Sequence, residues 1–206
     1  MLTRITLLIF TLFLAMGLGL NAQTSKGYAI GDQVKDFSLK NVDGEMVSMS
    51  DYDDAKGIIL IITCNTCPWA RKYEDRIEAL HTQYEPKGFP VIAINPNDEN
   101  KSPGDSYAAM QQRADEKDFS FPYVYDETQE IARALGATRT PEVFLVENTS
   151  EGFILRYHGA IDDNPNDPNS VEEKFVEEAI NAVMEGKEIN KPETKFIGCS
   201  VKYAES

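Results

Sequence analysis

The chain has 206 residues, and its 34 acidic against 20 basic side chains give a formal net charge of −14. That balance excludes nucleic acid and anionic membrane surfaces as partners, because both select basic patches. The chain has 3 cysteines, and an odd count leaves at least one sulfur unpaired, transiently paired or bonded to another chain, so sulfur chemistry is favoured over a purely structural framework.

The N-terminus has a short positive start ending at Arg4, then an almost wholly apolar run over 5–20, then Leu20-Asn21-Ala22 as a cleavage point. This is the layout of a secretory signal peptide over 1–22, which directs the chain to the periplasm or outside the cell. An uncleaved anchor is the alternative, since the run approaches the ~20 residues of a marginal span. The membrane enters as a partner only through that segment. Residues 23–190 have the size of one domain, and 191–206 form a polar tail carrying Cys199.

Residues 37–40 and 46–49 flank Asp43-Gly44 and predict a hairpin. Residues 58–63 are a continuous apolar run suited to a central strand covered on both faces. From Pro68, Tyr73, Ile77, Leu80 and Tyr84 recur at helical spacing, and Gly88 stops the helix. A strand follows over 91–94, a polar loop over 95–104 and a helix over 105–117. Residues 123–125 predict a short extended segment, and 129–135 a short helix ended by Gly136. Strands over 143–146 and 153–157 form a second hairpin. Ser170 with Glu173 reads as a capping box opening a last helix, which runs to Gly186. The sum is an α/β fold with parallel central strands, whose carboxyl ends collect catalytic groups.

Cys64 and Cys67 fall at such an end. Pro68 suits the first helical position and makes Cys67 the N-cap, its sulfur over the free N–H groups of the first turn. Cys67 is then the better thiolate and nucleophile, with Cys64 the partner that closes a disulfide. A permanent staple is the alternative, although a two-residue loop removes little unfolded-chain entropy. A metal site would need Cys199 with His81 or His158 as further ligands, and copper would accept that set. His81, beside Thr82 and Gln83, is expected to be exposed. Thr140-Pro141 is either a strand-opening proline or a cis-proline loop lying against the cysteines.

Together these residues resemble the thioredoxin superfamily, and within it the peroxiredoxin-like branch of alkyl hydroperoxide reductase and thiol-specific antioxidant proteins. The markers are Cys64-Asn65-Thr66-Cys67-Pro68-Trp69, Phe121-Pro122-Tyr123, Asp126-Glu127-Thr128-Gln129-Glu130, Thr140-Pro141, Ile161-Asp162-Asp163 and the tail Ile197-Gly198-Cys199-Ser200-Val201-Lys202-Tyr203. The resemblance implies a thioredoxin-like fold: a central mixed sheet flanked by helices, with the N-terminal hairpin and an inserted helix within 95–118. It also implies that Thr140-Pro141 is the cis-proline pair. Cys67-Pro68 matches the peroxidatic cysteine-proline of peroxiredoxins. Where those proteins place a proline seven residues before that cysteine and a threonine three before it, this chain has Leu60 and Cys64. Pro141 stands where they use an arginine.

The expected activity is therefore exported thiol–disulfide exchange, with Cys67, Cys64 and Pro141 catalytic and Pro68, Trp69 and Thr140 in support. Cys199 is either a resolving cysteine or a lone thiol packed under a loop. No organic cofactor and no resident metal are expected, because electrons pass between sulfurs. The partners are a disulfide substrate and a thiol reductant. A thiol peroxidase with Cys67 peroxidatic is the first alternative, and a copper chaperone the second.

Overall fold

The computed structural model describes residues 27–205. The segment read as a signal peptide lies outside them. Among the described residues, no helix is long and apolar enough to cross a membrane.

The apolar run becomes β3 (Gly57–Ile62), all six residues buried. On one side it pairs parallel with β4 (Val91–Asn95), and β4 pairs parallel with β5 (Tyr123–Tyr125). On its other side lies β7 (Glu142–Thr149), antiparallel, followed by β8 (Gly152–Gly159) at the edge. The N-terminal hairpin, β1 (Ser38–Asn41) and β2 (Met46–Ser48), extends the sheet beyond β5. The seven strands run β2-β1-β5-β4-β3-β7-β8. The sheet is mixed, as the family resemblance implies, with the parallel strands β3, β4 and β5 side by side within it.

Strand periodicity divides the core in two. Ile59 and Ile61 face a cluster with Tyr73, Ile77, Leu80 and Tyr84 of α1 (Pro68–Tyr84) and with Val176 and Ile180 of α4 (Phe175–Met184). Ile58, Leu60 and Ile62 face the other cluster, which includes Ala132 and Leu135 of α3 (Glu130–Leu135). Each fully buried isoleucine contributes about 2 kcal/mol of transfer free energy, so this one strand anchors both layers. The inserted helix is α2 (Tyr107–Lys117), capped by Ser106, whose hydroxyl accepts from the Ala109 N–H.

Two expectations fail, each because of contacts that the local pattern does not show. Ser170 does not open the last helix. It ends a short turn over Pro168–Ser170, where its hydroxyl donates to Asp167 at 2.6 Å. The next residues are pinned by Asp163, which accepts from the Glu172 N–H, so α4 starts only at Phe175. His81 is buried, because its Nδ1 accepts from the Val91 N–H at 3.2 Å and its ring meets Phe121 edge-on. The polar tail carrying Cys199 folds back as β9 (Cys199–Ser200) against β6 (Arg139–Thr140), in antiparallel register Thr140 opposite Cys199.

Candidate active site

β3 ends at Ile62 and the chain turns through Cys64 into α1. Cys67 is the N-cap, with extended backbone angles (φ −74°, ψ 121°), and Pro68 is the first helical residue. The helix is held from both sides. Glu74 is bridged bidentately by Arg113 of α2, while Asp162 accepts from Tyr73 Oη at 2.8 Å and from Arg76 Nη1 at 2.6 Å. Both ion pairs are largely buried and hydrogen-bonded, so they fix the angle at which the helix presents its N-terminus.

The loop between the two cysteines is held by a residue that sequence reading misses. Asp105 is wholly buried. Its carboxylate accepts from the Asn65 N–H at 2.7 Å, the Thr66 N–H at 3.0 Å and the Thr66 hydroxyl at 2.7 Å, and also from Ser102 and Asn97. The insertion therefore reaches back to grip the Cys64–Cys67 turn. Its one advance signal is a run of Asn, Ser and Asp too rich in hydrogen-bonding groups for a mere spacer.

Opposite the cysteines lies the Thr140-Pro141 loop, and the bond between these residues is cis. The Cys67 thiol donates to the Thr140 carbonyl at 3.1 Å, and Cys64 Sγ is hydrogen-bonded to Thr140 Oγ1 at 3.2 Å. Glu142, also wholly buried, supports this loop from behind. One of its oxygens accepts from the Thr138 and Arg139 N–H groups at 2.8 Å each, and the other meets His158 Nε2 at 2.6 Å. His158, considered above as a metal ligand, thus has one nitrogen engaged with Glu142. Among the described residues no group of three or more His, Cys, Asp or Glu side chains is arranged to hold a metal ion.

Cys64, Cys67 and Cys199 converge. The first two are buried at 4% and 2% exposure, and Cys199, only partly buried, packs against them beside Trp69. Cys67 is the sulfur both others touch. A hydrogen bond from the Cys64 thiol, assisted by Cys199 and the Ala70 N–H of the first helical turn, pulls the Cys67 thiol down to about 4 against the opposing effect of burial. That state replaces the thiol's donation to the Thr140 carbonyl. Cys64 moves the other way, held protonated by its hydrogen bond to Cys67, by burial and by the Asp105 charge. Cys199 is pushed up to about 11 by burial first and then by its hydrogen bond to Cys67. Beside Pro141 a small hollow is lined by Tyr73, Ile161, Asp162, Phe196 and Ile197, the last exposed.

A mixed sheet with a dithiol at a helix N-terminus, facing a cis-proline loop, defines a thioredoxin-fold redox domain. The chain belongs to the AhpC/TSA family, whose model matches residues 30–165. It is 26% identical to the thiol-disulfide oxidoreductase ResA of Halalkalibacterium halodurans over 128 residues, 62% of this chain and 67% of that protein. A solved structure of an uncharacterized conserved protein from Geobacillus kaustophilus is 34% identical, with a TM-score of 0.79, covering 86% of this chain and 94% of that one. The exposed lipoprotein thioredoxin Etrx1 of Streptococcus pneumoniae shares the fold at 16% identity, with a TM-score of 0.56 over 71% of this chain and 99% of that one.

Proposed function

We propose that the chain is an exported thiol–disulfide oxidoreductase in which Cys67 is the nucleophile and Cys64 its partner. Cys67 thiolate attacks a substrate disulfide R–S–S–R′, forming a Cys67–S–S–R bond and releasing R′–S⁻, which takes up a proton. Cys64 then gives up its proton and attacks Cys67 Sγ, releasing R–SH and closing a Cys64–Cys67 disulfide. Two electrons leave the enzyme, and a dithiol reductant must return them. Thr140 and Pro141 form the wall beside the reacting sulfur, and the hollow next to Pro141 offers an apolar edge to the substrate.

The observation that carries this reading is the placement of Cys67 at the N-cap of α1, facing the cis Thr140-Pro141 loop, with Cys64 beside it against the same threonine. The opposite displacement of the two thiols, Cys67 down and Cys64 up, agrees with it. Family membership and the likeness to a thiol-disulfide oxidoreductase support the same class. Export rests on the composition of residues 1–22.

The test is trapping. Pre-reduced protein should reduce insulin disulfides, and Cys64→Ser should accumulate mixed disulfides on Cys67 while Cys67→Ser accumulates none. The reverse pattern would make Cys64 the nucleophile. A thiol peroxidase is the second reading, favoured by the family match itself. Against it, Leu60 and Cys64 replace the proline and threonine of peroxiredoxins, and Arg139 Nη1 is engaged by the Gly198 carbonyl at 3.0 Å. Prompt hydrogen peroxide consumption with stoichiometric oxidation of Cys67 would establish that reading instead.

A further inference from the structure

Cys64 and Cys67 are buried while Cys199 is only partly so, which makes Cys199 the outermost of the three sulfurs. Cys199 lies opposite Thr140 in the β6–β9 pair, and Gly198 allows the approach, since a Cβ there would sit 2.3 Å from the Thr140 oxygen. The strand is firmly fixed. The Val201 N–H donates to the Thr138 carbonyl at 3.0 Å, the Lys202 N–H to Asn97 Oδ1 at 2.8 Å, and Tyr203 Oη to the Ala137 carbonyl at 2.7 Å. Cys199 is therefore a constant part of the site. It touches Cys67, faces the Trp69 N–H and is the most exposed of the three sulfurs.

We propose that Cys199 is an outer relay thiol, which takes the disulfide from Cys64–Cys67 and presents it, as Cys67–Cys199, to the dithiol protein that recharges the enzyme. The relay rests on the thiol–disulfide activity proposed above. In the first step Cys199 loses its proton and attacks Cys67 Sγ. The Cys67–Cys199 bond forms, the Cys64–Cys67 bond breaks, and Cys64 leaves and takes up the proton, with no net redox change. In the second step one thiolate of the reductant attacks Cys199 Sγ and expels Cys67 as thiolate. The reductant's second thiol then attacks its own mixed disulfide with Cys199, leaving Cys199 as a thiol and the reductant as a disulfide. Contact sets the direction of the first step, because Cys67 is the sulfur that Cys199 touches. In the second step attack falls on Cys199, because the more acidic Cys67 thiol is the better leaving group.

Two measurements on the purified protein test the relay. Cys64→Ser protein oxidised with diamide should form an intramolecular Cys67–Cys199 disulfide, seen by peptide mapping without reduction, and adding Gly198→Ala should abolish it. Cys199→Ser protein, oxidised and mixed with a thioredoxin-sized dithiol protein, should be recharged at least about tenfold more slowly than the parent. Absence of the Cys67–Cys199 bond in Cys64→Ser, or recharge of Cys199→Ser at the parental rate, overturns the relay. If pre-reduced parent protein fails to reduce insulin, it is the underlying activity that fails, and the two outcomes are distinct.

Discussion

At the scale of single residues, the site is an arrangement of charge around one sulfur. Cys67 carries it because the Cys64 thiol and the helix N-terminus donate toward it. The sign is clear: its folded value lies below that of a free thiol, so thiolate persists above about 4 and is lost on acidification. The thiolate absorbance of reduced protein at 240 nm should therefore show a step far below the ~8.5 of ordinary cysteine, absent in Cys67→Ser. A step near 8.5 in the parent protein would remove the basis for choosing Cys67. Asp105 is the second residue on which the site depends. Asp105→Asn keeps the size but turns an amide toward donors that need an acceptor, at a cost of about 2–4 kcal/mol in urea unfolding. It also removes a charge that raises the Cys64 thiol, so Cys64 should ionise at lower pH. An unchanged urea midpoint would mean that Asp105 does not hold the turn.

At the scale of elements, what was legible in the sequence is what local pattern dictates. β3 follows from a run of five apolar residues, α1 from its spacing and the N-cap role of Cys67 from Pro68. The residues alone leave Thr140-Pro141 as either a strand-opening proline or a cis-proline loop, and the family resemblance chooses the second, which is what forms. What stayed hidden depends on partners distant in the chain. Asp105 grips Asn65 and Thr66 from about 40 residues away, Glu142 meets His158 across the β7–β8 hairpin, and β9 finds β6 some 60 residues upstream. No periodicity announces such pairings. Ser170 shows the converse error, a correct local motif overridden by a nearby Asp167. The Glu142 contact makes its own prediction. Glu142→Ala leaves the Thr138 and Arg139 N–H groups without an acceptor and should lower the unfolding free energy by about 3 kcal/mol. It should also loosen the Thr140 loop, so that insulin reduction falls even at temperatures where the variant is fully folded. Full activity in a folded Glu142→Ala protein would show that the buried glutamate serves stability alone.

At the scale of the whole molecule, the net charge of −14 sets which partners arrive quickly, while the sulfur cluster decides what happens after arrival. The groups nearest the site do not repeat the overall sign uniformly. Lys202 acts favourably on the Cys199 thiolate, and Arg139 lies along β6, while Asp162 and Asp163 stand on the side of Pro141. A cationic disulfide substrate is drawn in by the molecule's long-range field and meets mixed charge only on contact. Two disulfide peptides differing only in net charge, one basic and one acidic, should therefore react at different rates at low salt, the basic one faster. The difference should shrink as the Debye length falls from about 30 Å at 0.01 M to about 3 Å at 1 M. Equal rates at low salt, measured by stopped-flow loss of the Cys67 thiolate signal, would show that the field near the tail, and not the total charge, governs encounter. In that case reversing Lys202 with Lys202→Glu should change the basic-to-acidic rate ratio, although it alters the total charge only slightly.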